Sequence, residues 1–460
     1  MPKPVEILKD TALTAEDIVE PVAIPVEAYT SPEYARAERD RLWRKVWLQA
    51  GRLEDLADVG SYLTFEILDD SIVVVRTATD RIKAFHNVCP HRGRRLVDTP
   101  AGERNGCGKK KMFICAYHGW RFDLDGNNTH IPQKDDWQGC LTAENTHLAE
   151  VKHDTWGGWI WVNMDPQSES LREYLGVIPD MLDPFQLQNM RVRWRKWGIF
   201  DCNWKVAMEA FNETYHVETT HPEFNKYGSF RGWARAHGRH SHIGYEAPKD
   251  MDANQQAKLR LGSSGDPRLS TAEMQTYTWE KANTNTTQTL VNAALRLKDE
   301  LPEGTPGDQV LKHWLASARR DDEARGVVWP TVDPQHVGKS GTAWQVFPNF
   351  QIGHAVNNML CYSARPYGYD PDKCIFEGAV YELYPQGQEP QTPWQFSPAT
   401  AEAWCYVLSQ DFSNMAAVQQ GMKSLGFKGP RPNPYMERTT ANLHRNLAKY
   451  MGTGSPKKLK

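Results

Sequence analysis

A chain of 460 residues is longer than one ordinary core supports, so two domains or one elaborated domain are expected. With 40% apolar and 24% charged residues the composition is that of a soluble globular protein, and a formal charge of −3 carries no nucleic-acid footprint. The longest apolar-rich run, Trp156–Met164, is too short to cross a bilayer, which takes about 20 residues.

The chain opens with MPKPVEILKD, which has neither an apolar core nor a cleavage-site pattern of an export signal. Its eight cysteines (Cys89, Cys107, Cys115, Cys140, Cys202, Cys361, Cys374 and Cys405) are scattered, so a reduced, cytoplasmic setting is expected, with metal binding rather than bridges where they cluster. Residues 1–30 read as a Pro-rich arm on the surface. Ser31-Pro32-Glu33 then has the cap, first-turn proline and acid of a helix start, and the body Tyr34–Trp47 carries Leu42, Trp43, Val46 and Trp47 on one side. From Gly51 to Asp165 the period shortens towards two. Strands are predicted at Tyr62–Leu68, Ile72–Arg76, Ile82–Val88, Met112–Cys115 and Trp159–Met164, with a hairpin turn at Asp125-Gly126. This is a compact antiparallel β domain, taken as 45–165, with the arm and helix of 1–44 packing on the C-terminal domain.

Beyond Asp165-Pro166 the reading is helix over Ser170–Ile178 and Pro179–Leu187, strand over Val192–Phe200, and helix over Asn203–Tyr215. The basic, histidine-rich Arg231–His242 reads as a solvated loop or as a contact to an acidic substrate or partner. Asp250–Gly307 is polar and broken, with an amphipathic helix at Leu290–Leu301, and looks like an insertion or lid spanning about 229–340. A helix at Leu311–Arg325 precedes strands at Trp344–Ile352, Leu360–Pro366 and Ile375–Tyr384. Phe347, Asn349, Phe350 and Gln351 are candidates to line a pocket. Helices at Phe412–Leu425 and Pro434–Tyr450 and a frayed GSPKKLK tail complete the chain.

Two constellations carry chemistry. Cys89-Pro90-His91 and Cys115-Ala116-Tyr117-His118 each end a predicted strand and together offer two thiolates and two imidazoles. Zinc is one reading. A Rieske [2Fe–2S] cluster is the other, and the spacing favours it, because each short pair gives one ligand to each iron. The second is DCNWKVAMEAFNETYHVETTHP, in which Glu213, His216 and His221 have the ligand types of a mononuclear ferrous site. Glu213 and His216 share a helix face, whereas His221 would lie about 140° round an ideal helix from His216. One metal can take both histidines only if the helix breaks, and Thr219-Thr220 and Pro222 predict that break.

The runs CPHRG and CAYHGWRFDLDG, closed by WGGWIWVNMDP, resemble the Rieske domain of ring-hydroxylating oxygenase large subunits over roughly residues 45–165. One departure is a longer loop between the ligand pairs. Its extra segment Ala101–Lys111 contains Cys107, which has Lys110 where a histidine would be needed. The later stretch resembles that family's motif NWK…E…(D/E)xYHxxxxH through Asn203, Trp204, Lys205, Glu209, Glu213, Tyr215, His216 and His221. The resemblance implies Cys89, His91, Cys115 and His118 as cluster ligands and His216 and His221 as iron ligands. It implies Asp411, followed by Val418-Gln419 and Gly421-Met422, as the third, with Glu213 itself the other candidate. It also gives Glu213, an aspartate in many members, the role of a bridge between an iron-bound histidine and a Rieske histidine of a neighbouring subunit.

The implied fold is α+β: the N-terminal Rieske β domain, then a catalytic domain over 166–460 with an antiparallel, helix-grip (START-like) sheet flanked by helices. The implied function is that of the oxidoreductase terminal component of a ring-hydroxylating system. It would activate O2 at Fe(II) with electrons from the [2Fe–2S] cluster, and ultimately from NAD(P)H through a reductase or ferredoxin, to mono- or dihydroxylate an aromatic or other apolar substrate in aromatic hydrocarbon breakdown. The implied assembly is a homotrimer, alone or with a small β subunit. Oxidative O- or N-demethylation by the same machinery is the alternative within the class. An electron carrier fused to a binding domain is the rival outside it, and it leaves Glu213, His216, His221 and Asp411 without a role.

Overall fold

Alternation along Asp70–Ala78 shows how the N-terminal half is built. Ile72 and Val74 enter one large core, and Val73 and Val75 enter a second, smaller core with Phe85, Cys89, Phe113, Cys115, Trp120 and Phe122. Successive side chains of a strand point to opposite faces, so the unbroken apolar run marks a strand buried on both sides. The computed structural model describes residues 20–227, 231–245 and 265–459. In it this strand is central to an antiparallel sheet ordered Arg81–His86, Asp70–Ala78, Ser61–Ile67, Cys107–Lys109. Leu48–Arg52, Trp159–Asn163 and Lys152–Trp156 form a second sheet, and the short strands Phe113–Ile114, Arg121–Phe122 and Asn128–His130 a third. Gly126 turns the chain between the last two with φ +85°, and a Cβ there would lie 2.5 Å from the Phe85 ring, so only glycine closes the turn.

The C-terminal half is organised by an eight-stranded sheet, in the order Gly232–His237, His240–Tyr245, Ala343–Val346, Phe350–His354, Asn358–Pro366, Cys374–Glu382, Arg191–Phe200 and Gln395–Phe396. All neighbours are antiparallel except the last pair. Helices Gln288–Glu300, Gly307–Ala324, Tyr406–Gly421 and Arg438–Met451 pack with this half. The large core runs unbroken between the halves: Trp159 meets Phe350 at 5.2 Å and Tyr381 at 6.2 Å between ring centroids. None of the helices among the described residues is long and apolar enough to cross a membrane.

Four expectations are corrected. Arg231–His242 is not a solvated loop but part of a hairpin of the main sheet. Its histidines are structural: His240 is buried against the Tyr174 carbonyl at 2.6 Å, and His242 stacks on Trp344 at 4.4 Å. The single strand Trp344–Ile352 is two, because Pro348 lacks an N–H and the chain reverses through Phe347-Pro348-Asn349. The helix predicted from Tyr34 to Trp47 is α-helical only over Pro32–Glu38 and widens to a π-turn over Arg39–Trp43. The C-terminal tail pairs through Lys457 and Lys458 with Ala23 and Val22. Of the surface arm, residues 1–19 lie outside the described residues.

The long loop between the ligand pairs also acquires a role. Arg104, 7% exposed, grips Glu377 of the catalytic sheet through two bonds of 2.7 and 2.8 Å, and Arg365 takes the same carboxylate from the adjacent strand. Trp394 lies beneath both Arg104 and Arg195, at 4.3 and 5.2 Å. Burial alone would raise the pKa of Glu377, but the two guanidiniums override it and hold it at about 2. Glu377→Ala therefore strands two buried cations, and denaturant titration should show a loss of about 3–5 kcal/mol. Because the folded carboxyl titrates below its unfolded value of about 4.3, its contribution is complete above that pH and is lost as pH falls towards 2. The wild-type advantage over Glu377→Ala should shrink across that window.

Candidate metal centres and cavity

The histidine-bearing stretch is anchored before its ligands are reached. Asn203 caps the helix Trp204–Glu209, its side chain accepting from the Lys205 N–H at 3.1 Å. Lys205 and Glu38 form an ion pair at 2.6 Å, each 1% exposed, and Trp204 donates to the same carboxylate at 3.1 Å. Glu209 accepts from Tyr29 at 3.0 Å and lies 2.7 Å from His444 Nε2. The NWK…E motif is thus the fastening of this helix to the N-terminal arm.

The sequence pattern predicts a helix that runs to Tyr215 and a break at Pro222. In the structure the helix ends at Glu209, because the next carbonyls are claimed by side chains from elsewhere in the chain. Gln351 Nε2 donates to Phe211 O, and Thr439 Oγ1 donates to Asn212 O at 2.6 Å. A short helix, Val217–Thr220, then restarts with His216 at its N-cap and His221, at φ −120° and ψ 60°, at its C-cap. Glu213 forms the turn between them, accepting from the backbone N–H groups of Tyr215 and His216. The two histidines flank one turn of helix instead of sharing a long one, and their ring centroids lie 5.4 Å apart.

Asp411 arrives from the helix Tyr406–Gly421. It stands in the second turn rather than at the entry, because the helix starts earlier than expected, with Cys405 as its cap. Its Oδ1 lies 3.0 Å from His221 Nε2 and 3.4 Å from His216 Nε2, and the three residues offer ligand atoms within 4.8 Å of one another. Each ring has its other nitrogen occupied: His216 Nδ1 by Glu213, and His221 Nδ1 by Gln410 Oε1 at 2.9 Å, with Gln410 held in turn by Glu223 at 3.1 Å. Two imidazoles oriented by outer partners, with one carboxylate, suit ferrous iron. Burial would lower the pKa of both imidazoles, but the carboxylates outweigh it, Glu213 and Asp411 at His216 and Asp411 at His221, so both are raised. Glu213 serves the far nitrogen of His216 and is not in the three-residue group. Gln410 and Glu223 escaped the sequence reading; the only local signal was that Gln410 adjoins Asp411.

The Cys–His pairs sit on two turns of the same design. Cys89 N–H bonds Arg94 O and Gly93 N–H bonds Cys89 O; Cys115 N–H bonds Trp120 O and Gly119 N–H bonds Cys115 O. Both cysteines are buried, and burial together with Cys115 raises the Cys89 thiol to about 11. His91 and His118 approach to 4.5 Å between centroids, and His91 stacks on Trp120 at 5.1 Å. His91 Nδ1 is buried without a hydrogen-bond partner, as fits a ring that presents a nitrogen to iron. Two buried sulfurs beneath two outer imidazoles suit a Rieske cluster. Cys107 lies apart, on the exposed strand beside Ser61–Leu63.

A cavity of about 440 Å³ lies over His216, His221 and Asp411, walled by Phe211, Tyr362, Leu360 and Ile243. Met274, Gln275, Thr278 and Thr284 also line it; residues 246–264 lie outside the described residues. Of the four candidate pocket residues only Gln351 is in the wall. Phe347 stacks on Tyr450, Asn349 bonds Ala364 O and Phe350 packs on Trp159, since alternation and the turn at Pro348 aim them elsewhere.

A family model described as the ring hydroxylating alpha subunit (catalytic domain) matches residues 171–453, and one described as the Rieske [2Fe-2S] domain matches residues 46–148. The chain is 30% identical over 233 residues to a carnitine monooxygenase oxygenase subunit of Escherichia coli (strain K12), covering 50% of this chain and 60% of that one. It is 32% identical over 197 residues to a benzene 1,2-dioxygenase subunit alpha of Pseudomonas putida, covering 42% of each. These alignments therefore span less than two thirds of either relative. Among solved structures, a quaternary ammonium Rieske monooxygenase in complex with L-carnitine superposes with a TM-score of 0.61 at 18% identity, covering 97% of this chain and 100% of that one. Naphthalene 1,2-dioxygenase from Rhodococcus sp. bound to indole superposes with a TM-score of 0.59 at 16% identity, covering 93% and 94%. The shared fold is a Rieske β domain followed by a mixed helix-and-sheet catalytic domain.

Iron analysis separates the two centres. Wild type should hold about three irons per chain, two of them in the cluster. His221→Ala and Asp411→Ala should each hold about two, with the visible spectrum of the cluster unchanged.

Proposed function

The chain belongs to the ring-hydroxylating alpha subunits, and from that premise we propose that it is the terminal oxygenase of an electron-transfer chain, acting on an apolar, ring-sized substrate. The observation that carries this reading is the convergence of His216, His221 and Asp411 beneath a largely apolar cavity, in a chain that also matches a Rieske domain. An electron carrier has no use for such a cavity. When bound, the cluster would supply electrons and the ferrous iron the site at which O2 is activated.

The chain's own residues orient, exclude and connect. Glu213 would hold the proton on His216 Nδ1 and Gln410 Oε1 that on His221 Nδ1, which leaves both Nε2 lone pairs to face the metal position they share with Asp411. Phe211 and Tyr362, stacked at 4.1 Å, present flat apolar surface to a ring. Met274 and Gln275 of the helix Pro267–Tyr277 bound the cavity on one side.

No Lys or Arg lines the cavity among the described residues. The electron path is read between subunits: His118 and Tyr117 are exposed, as is Tyr215 beside Glu213, so His118 of the partner subunit would approach Glu213 in a homotrimer. The electron donor would be a ferredoxin or reductase drawing on NAD(P)H.

Turnover of an aromatic panel under isotopically labelled O2, scored for one or two labelled atoms in the product, tests the activity. Absence of label from every product would overturn it. Glu213→Ala should keep both iron centres yet lose about 10- to 100-fold in multiple turnover. In single turnover with a pre-reduced cluster, re-oxidation of that cluster should slow by a similar factor.

A further inference from the structure

Gln410 and Asp411 are consecutive on the helix Tyr406–Gly421, yet they take opposite nitrogens of one ring. Gln410 Oε1 lies 2.9 Å from His221 Nδ1, and Asp411 Oδ1 lies 3.0 Å from His221 Nε2. The two contacts make opposite demands on the single hydrogen of a neutral imidazole. A carboxylate facing Nε2 draws the hydrogen to that nitrogen, where it occupies the lone pair that a metal needs. An imidazole that binds metal through Nε2 must carry its hydrogen on Nδ1, so the group facing Nδ1 has to accept. An amide does not guarantee this. Turned over, it presents an NH2 donor in place of its oxygen with almost no change of shape.

What fixes this amide is Glu223. Gln410 Nε2 lies 3.1 and 3.3 Å from the two oxygens of the Glu223 carboxylate, which when ionised can only accept. Tyr406, one turn before Gln410 on the same helix, donates its hydroxyl to Glu223 Oε1 at 3.0 Å and holds the carboxylate in place. Glu223 itself stands in the short helix Pro222–Tyr227, two residues beyond His221, so it moves with the ring it serves. We propose that Glu223 is the positioning residue that decides the tautomer of His221. By holding the Gln410 amide with its oxygen towards Nδ1, it offsets the pull of Asp411 and frees Nε2 for ferrous iron. His216 needs no such device, because a carboxylate, Glu213, faces its Nδ1 directly. The inference rests on His216, His221 and Asp411 being the iron site of the proposed oxygenase.

Competition for Fe(II) between the cluster-loaded protein and a coloured ferrous chelator, without O2, reads affinity apart from turnover. Glu223→Leu should bind the mononuclear iron about tenfold more weakly, with the cluster spectrum unaltered. Exchanging the two groups, Glu223→Gln together with Gln410→Glu, puts a carboxylate against Nδ1 and an amide behind it. That double variant should return the affinity to within about threefold of wild type. Unchanged affinity in Glu223→Leu overturns the proposal. A loss that the exchange does not recover reveals a merely structural role and overturns it equally. Should the leucine variant fail to assemble its cluster, the isosteric Glu223→Gln decides: affinity equal to wild type overturns the proposal, and a loss that the exchange recovers supports it. A wild-type protein that takes up no iron beyond the cluster would overturn the iron reading of the site and this inference with it.

Discussion

The structure turns on a helix that is prevented from continuing. After Glu209 the carbonyls of Phe211 and Asn212 would ordinarily accept from N–H groups four residues on, but Gln351 and Thr439 take them instead. The chain is forced into a turn, Glu213 folds its carboxylate over the freed N–H groups of Tyr215 and His216, and one short turn of helix restarts. Every later feature of the centre depends on that interruption. An uninterrupted helix would hold His216 and His221 on diverging radii, and Asp411 would have only one of them to meet.

Buried charge fastens the frame around this turn. Lys205 and Glu38 tie the preceding helix to the N-terminal arm, and Arg104, Glu377 and Arg365 tie the long Rieske loop to the catalytic sheet. Such groups add little net stability over apolar residues of the same shape, because desolvation offsets most of the attraction. They are demanding of geometry, however: a carboxylate gripped by two guanidiniums admits one arrangement.

The carboxylates near His216 and His221 divide into roles by what they touch. Asp411 faces both Nε2 atoms, Glu213 faces Nδ1 and the backbone, and Glu209 is spent on Tyr29 and His444. Glu437, buried near Glu209 and Glu213, is pushed up to about 7 by burial and by those two negative charges. Acidity at this centre is thus concentrated on the ligand side, whereas the facing wall, with Gln351, Leu360 and Ile243, is uncharged.

The features legible in the sequence were those whose partners lie within a few residues. The paired Cys–His motifs, the two-residue period around Val73 and Val75, and the Glu213–His216 spacing were all read from local pattern, because backbone geometry alone relates residues so close. The need for a break between His216 and His221 was legible too, but its position was not. What withdraws the carbonyls lies 140 residues away at Gln351 and 227 away at Thr439. The same distance hid Gln410, 189 residues from His221, and Arg104, 273 from Glu377. The basic hairpin Arg231–His242 misled for a related reason: its histidines are polar by composition, and only packing against Trp344 and Tyr174 makes them core. The sequence by itself determined which chemical groups the protein owns and the short-range spacing that pairs them. Tertiary structure decided which carboxylate meets the imidazoles, which merely orients one, and which amide is left facing the cavity, because those choices depend on hydrogen bonds between segments that only the folded sheet brings together.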